Sequence, residues 1–176
     1  MGNDAVSAEA KEKIVQDILD AQEALNNGGR IMLAPGKYYM FISQRSQDGM
    51  FDAGGSLKCT KDKVAIDVPP TLSDAKYIWT VEDAGNGQYY IKNYATGRYA
   101  GKQGSTSSTF PTIEGATVKY NVAFNPNGDA AGLMFNITDD GGNMWHCDGG
   151  MNVVRWQSKN GLGCLFAIKE VPGDVA

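Results

Sequence analysis

GQYYIKNYATGRYAG, Gly87 to Gly101, spells a strand, a turn and a second strand. Aromatic and polar residues alternate along it, and Ala95-Thr96-Gly97 breaks the alternation, as a half-buried hairpin requires. The chain writes this pattern three times. GKYYMFISQRSQDGMFDAGG precedes it from Gly36, and GLMFNITDDGGNMWHCDGG follows from Gly132.

Each copy opens with a strand: Tyr38 to Ser43, Tyr89 to Tyr94 and Leu133 to Thr138. A glycine turn follows, and a hydrophobe (Phe51, Tyr99, Met144) opens the next strand. Each copy then closes on an alternating strand. Its inward phase is expected to be Tyr77/Trp79/Val81, Tyr120/Val122/Phe124 and Cys164/Phe166/Ile168. The copies start 51 and 44 residues apart, a period that suits one four-stranded unit repeated. A single unit of this size cannot bury its apolar face. Three must pool theirs around a shared axis, and closing the sheet removes the exposed edges.

Ahead of the repeats, Ser7 to Asn26 reads as the one helix. Ile14, Ile18, Ala21 and Leu25 recur on one face, Val15 and Leu19 widen it, and Glu12, Gln16, Asp20 and Glu23 line the other. Ser7 caps the start and Asn26-Asn27-Gly28-Gly29 supplies the stop. A helix of this length is marginal alone, so its apolar face is expected to dock on the barrel or on a domain upstream. The expected division is a helix and linker at 1–30 and one all-β domain at 36–171, with repeats near 36–84, 87–129 and 131–171.

Composition narrows the function. The chain has 176 residues, 42% hydrophobic and 20% charged, and a net charge of −4. No Lys/Arg stripe is present to neutralise phosphates, which argues against nucleic acid and anionic membrane surfaces. No apolar run reaches the roughly 18 residues of a spanning helix, so membrane insertion is not expected. Cys59, Cys147 and Cys164 form an odd set that reads as buried free thiols, although an oxidising compartment would allow one pair. Asn136-Ile137-Thr138 matches the glycosylation acceptor pattern.

Three units of roughly 45 residues, each closing on an aromatic at Trp79, Phe124 and Phe166, resemble the β-trefoil of the ricin-type lectin families. The third copy, NMWHCDGG followed by NVVRWQSKNGLGCLFAIKEV, is similar to the final unit of bacterial secreted trefoil domains. The resemblance covers Gly36 to about Val171. It departs at the signature Gln, since Tyr77, Val122 and Cys164 stand two residues before the closing aromatics. It implies an all-β trefoil preceded by one α-helix. It also implies a non-catalytic carbohydrate-binding module, secreted, periplasmic or on the cell surface, within a larger protein. The alternative is a protein-interaction or protease-inhibitor trefoil working through loops such as Lys61 to Ser73, stiffened by Pro69-Pro70, and Gly101 to Lys119.

Enzyme chemistry has less support. Trp145-His146-Cys147-Asp148 holds the one histidine beside a thiol and a carboxylate. Neighbours on a strand point to opposite faces, so a Cys-His dyad would need Cys59 or Cys164 from elsewhere. The phosphate-loop, dinucleotide and calcium-loop patterns each fail at a required residue: Gln103 after Lys102, Tyr90 in place of the third glycine, Cys147 in place of the bidentate Glu. No cofactor and no metal is expected.

What remains is a binding surface for a glycan. Sugars need an aromatic face for their C–H groups and nearby carboxylate, amide or Arg groups for their hydroxyls. Repeat three concentrates these in Trp145, His146, Asp148, Asn152, Arg155 and Trp156. Trp156 or Trp145 is the expected platform, and Asp148 with Arg155 the polar clamp. Asp48, Phe51 and Asp52 in repeat one, and Asn93, Arg98 and Tyr99 in repeat two, are thinner versions.

Overall fold

A computed structural model describes residues 7–26, 33–46, 49–60, 72–102, 108–126, 134–156 and 158–171, without the side chains of 21–26 and 72–74. The anticipated Asp48, the loop through Pro69-Pro70 and the Asn27-Gly28-Gly29 stop lie outside these residues. Helix α1 spans Ala8–Asn26. The Ser7 Oγ accepts the Ala10 N–H at 3.1 Å, the expected N-cap. Docking on the barrel is not found: Ile14 and Ile18 are 54% and 53% exposed, and every residue from Ser7 to Asp20 is exposed. The physical reason lies in the barrel, whose three repeats already bury their apolar faces against one another.

Twelve strands follow among the described residues. They are β1 (Tyr38–Ser43), β2 (Met50–Asp52), β3 (Leu57–Cys59), β4 (Trp79–Gly85), β5 (Gln88–Asn93), β6 (Tyr99–Ala100), β7 (Thr112–Ile113), β8 (Tyr120–Asn125), β9 (Met134–Asp139), β10 (Met144–Cys147), β11 (Val153–Trp156) and β12 (Phe166–Val171). Six of them close a ring of antiparallel pairs, in the order β1, β4, β5, β8, β9, β12 and back to β1. The other six pair as hairpins β2–β3, β6–β7 and β10–β11. A six-stranded barrel with three hairpins, one set per repeat, is the β-trefoil. Where the hairpins meet, the Leu57 N–H donates to the Phe110 carbonyl and the Phe110 N–H to that of Val153. All three side chains are buried there.

The register identifies the repeats' equivalent residues. Asn93, Asp139 and Ser43 end β5, β9 and β1, and each buried side chain accepts backbone N–H groups of the turn after it. Gly97 closes the turn after Asn93 at φ 71°, a left-handed conformation that a Cβ would strain. Opposite the three polar residues stand Trp79, Tyr120 and Phe166, all fully buried. The second closing aromatic is therefore Tyr120 and not Phe124. Phe124 sits at the other end of β8, only partly buried, because the central stretch of the barrel is filled from the start of that strand. Tyr77 and Cys164 are buried as expected, but as the last residues of 3-10 turns (Leu72–Tyr77 and Leu162–Cys164) that lead into β4 and β12.

Candidate functional site

The β10–β11 hairpin sorts the candidates by face. Met144 pairs with Trp156, Trp145 with Arg155, His146 with Val154 and Cys147 with Val153. Strand alternation puts Trp145, Cys147, Val153 and Arg155 on one side and Met144, His146, Val154 and Trp156 on the other. Trp145 is fully buried, its ring 5.1 Å from Tyr120, 5.7 Å from Phe41 and 5.9 Å from Phe166. It is a core residue and cannot serve as a platform. Trp156 is 46% exposed. Its indole lies flat on the buried His146 imidazole, centroids 4.5 Å apart and planes 16° apart, which leaves the opposite indole face to solvent.

The loop after β11 frames this indole. A Cβ on Gly161 would sit 3.5 Å from the Trp156 Nε1, and the next residue, Leu162, is exposed. Two buried amides of the barrel hold the loop in place. The Asn125 Nδ2 donates to the Lys159 carbonyl and the Asn160 Oδ1, and the Asn136 Nδ2 donates to the carbonyls of Lys159 and Cys164. This occupies the amide of the sequon asparagine in a buried strand and closes it to glycosylation. Ser158, Lys159 and Asn160 are exposed at the loop's outer side.

Beneath the indole, the His146 Nδ1 lies 3.2 Å from the Cys164 Sγ. Burial pushes the Cys164 thiol up to about 12, against the pull of Arg45. Burial, helped by Arg45, also lowers the His146 pKa, with Asp148 opposing. The pair is thus a neutral thiol against a neutral imidazole. A nucleophilic dyad needs the thiolate, and this environment suppresses it. The pair instead sets the tilt of the imidazole on which Trp156 rests. Sequence carried one sign of it, Gly163, where a Cβ would meet the Cys147 carbonyl at 2.3 Å and the His146 ring at 2.7 Å.

The expected clamp does not assemble around Trp156. The Asp148 Oδ1 accepts the N–H groups of Gly150 and Asn152 at 2.8 and 2.9 Å and so builds the turn between β10 and β11. Asn152 bridges to Lys58. Arg155 leaves the hairpin on the Trp145 side, away from the indole.

The thinner sites are also structural. Asp52, its side chain fully buried, accepts from Gly54 and Gly55 N–H, Thr96 and Thr112 Oγ1 and Arg98 Nε. Burial pushes its carboxyl up, but the bonds from Gly55, Arg98, Thr96 and Thr112 outweigh this and hold it below the usual carboxylate range. Asn93 caps its turn, and the Tyr99 hydroxyl donates to Glu82. Phe51 lies against Tyr77, with the Lys76 ammonium over its ring.

No family model and no curated protein sequence matches this chain. Solved structures do. The chain has the fold of the ricin B-like β-trefoils. The lectin of Macrolepiota procera, a ricin B-like protein solved with lactose, superposes with a TM-score of 0.57 at 14% identity, over 80% of this chain and 99% of that one. The BEL β-trefoil superposes with a TM-score of 0.57 at 16% identity, over 80% and 97%. A GlcNAcα1-4Gal-releasing endo-β-galactosidase from Clostridium perfringens also matches, with a TM-score of 0.56 at 11% identity over 78% of this chain. This chain covers only 33% of that enzyme.

Proposed function

We propose that the chain is a non-catalytic carbohydrate-binding module, an extracytoplasmic part of a larger protein, and that it holds its sugar on Trp156. The observation that carries this reading is the exposed indole laid flat on a buried imidazole beside an anchored polar loop. An indole face packs against the C–H face of a pyranose, and a pre-set orientation lowers the ordering cost of binding. Leu162 extends the apolar floor, and the Ser158 hydroxyl, the Lys159 ammonium and the Asn160 amide supply hydrogen bonds to sugar hydroxyls. The site is open, so hydroxyls exchange water bonds for protein bonds at little net gain, and affinity is weak. The suppressed thiol under the indole supports the non-catalytic half of the proposal, and the lactose complex of a protein with this fold supports the ligand class.

A glycan array tests it. The wild type is expected to show sugar-selective binding that Trp156→Ala removes while Tyr94→Ala, which trims an exposed aromatic elsewhere, retains it. An array without selective binding, or one unchanged by Trp156→Ala, overturns the proposal.

A further inference from the structure

The loop that frames the Trp156 indole has spent its acceptors and kept its donors. The Ser158 carbonyl accepts the Gly161 N–H at 3.0 Å, and the Gly161 carbonyl accepts the Cys164 N–H at 2.8 Å. The Lys159 carbonyl accepts from both the Asn125 and the Asn136 Nδ2, and the Asn160 Oδ1 also accepts from Asn125. Asp148, the carboxylate whose charge reaches His146, uses its Oδ1 on the N–H groups of Gly150 and Asn152. The donors are unspent. Among the described residues, the Trp156 Nε1–H, the Lys159 ammonium and the Arg45 guanidinium have no hydrogen-bond or ion-pair partner, and all three residues are exposed. Lys13, Lys37, Arg98 and Lys102, by contrast, are each paired with a carboxylate.

Backbone geometry strings these donors along one stretch of chain. A Cβ on Gly161 would lie 3.5 Å from the Trp156 Nε1, and one on Gly163 would lie 2.7 Å from the His146 ring. Two residues on, the Leu165 carbonyl accepts the Gln44 N–H at 2.8 Å. Arg45 comes next after Gln44, pinned by its own N–H donating to the Ser43 Oγ at 3.2 Å. The loop therefore runs from Lys159 past the indole and the imidazole to Arg45, with a cation at each end. The charge of Arg45 reaches His146 and outweighs that of Asp148 there.

Sugar hydroxyls both donate and accept, so a site for a neutral sugar offers both kinds of atom. An indole N–H, an ammonium and a guanidinium only donate. An ionised acid group only accepts and is their complement, and the bonds it forms with the cations are charge-assisted. We propose that the Trp156 site takes an acidic glycan, in which Lys159 and the indole N–H hold the carboxylate or sulfate of the sugar on the platform and Arg45 holds that of a neighbouring sugar. This inference rests on the Trp156 reading and adds the class of sugar to it.

The test is titration of the full chain with matched pairs of oligosaccharides. Glucuronate and galacturonate oligomers are each paired with their methyl esters, and sulfated galactose oligomers with their unsulfated parents. At low salt the acidic member of a pair is expected to bind about tenfold more tightly, and Lys159→Ala and Arg45→Ala each to weaken it by about fivefold, the upper range for a solvent-exposed ion pair. Lys92→Ala, which removes a cation lying over Tyr99 in repeat two, is expected to change nothing. Salt at about 1 M is expected to erase the preference. A preference within the carboxylate pairs assigns a uronic acid, and one within the sulfate pairs a sulfate ester. Equal affinity for acidic and neutral members, or a preference that survives in both cation variants, overturns this inference and leaves the sugar reading of Trp156 standing. A chain that binds neither member of any pair overturns both.

Discussion

At the scale of single residues, the account turns on His146. Its imidazole is buried between Trp156 and Cys164, and burial favours its neutral form. A base whose folded pKa is lowered binds fewer protons in the folded chain than in the unfolded one between the two pKa values. Stability then rises with pH across that window. The contribution is complete above the ordinary value of 6.5 and drains away as pH falls toward the lowered one. Denaturant unfolding below pH 6.5 should therefore show falling stability, with His146→Gln flattening that part of the profile. An identical profile in the variant would assign the acid sensitivity elsewhere. Asp52 adds its own loss at lower pH, since its carboxyl is held below 3.8 and its contribution is present above that value. The His146–Cys164 contact was not legible in the sequence. It joins β10 to the 3-10 turn before β12, and only the folded sheet brings the two together.

At the scale of elements, the hairpin β10–β11 shows what periodicity supplies and what it leaves open. Alternation required Trp145 and its neighbours to split between two faces, and it made one exposed tryptophan in this hairpin a reasonable expectation. Which one faces out depended on the pairing, which sets Trp145 opposite Arg155 over the Phe41/Tyr120/Phe166 cluster. Asp148 builds its turn because a carboxylate there serves backbone N–H groups as readily as a ligand. Helix α1 was legible from its cap to its last turn, since a helix start and an apolar stripe are local signals. Its environment was not. With Ile14, Val15, Ile18 and Leu19 all exposed, deleting residues 1–28 should leave the thermal midpoint of the barrel unchanged. A lowered midpoint would show that the helix supports the barrel after all.

At the scale of the whole molecule, three repeats close one ring and bury one shared core. The repeat was readable because every copy spells a strand, a glycine turn and a hydrophobe at similar spacing. The equivalence inside it was misjudged in repeat two, where Tyr120 and Phe124 both fit the alternating phase and only the partner of Asp139 distinguishes them. Trp79→Ala, Tyr120→Ala and Phe166→Ala should each cost about 3–5 kcal/mol in denaturant unfolding, the range for large buried aromatics. Phe124→Ala should cost less than any of them. A loss at Phe124 equal to that at Tyr120 would contradict the register.

The central claim is that sugar sits on Trp156, and the chain's three tryptophans allow a direct measurement. Trp79 and Trp145 are fully buried and Trp156 is exposed. A nitrogen-15 correlation spectrum resolves one indole N–H signal per tryptophan, with Trp156→Phe assigning the third. Titration with a glycan selected on the array should shift the Trp156 indole signal in a saturable way and leave those of Trp79 and Trp145 in place. Saturable binding that leaves the Trp156 signal unmoved would contradict the account.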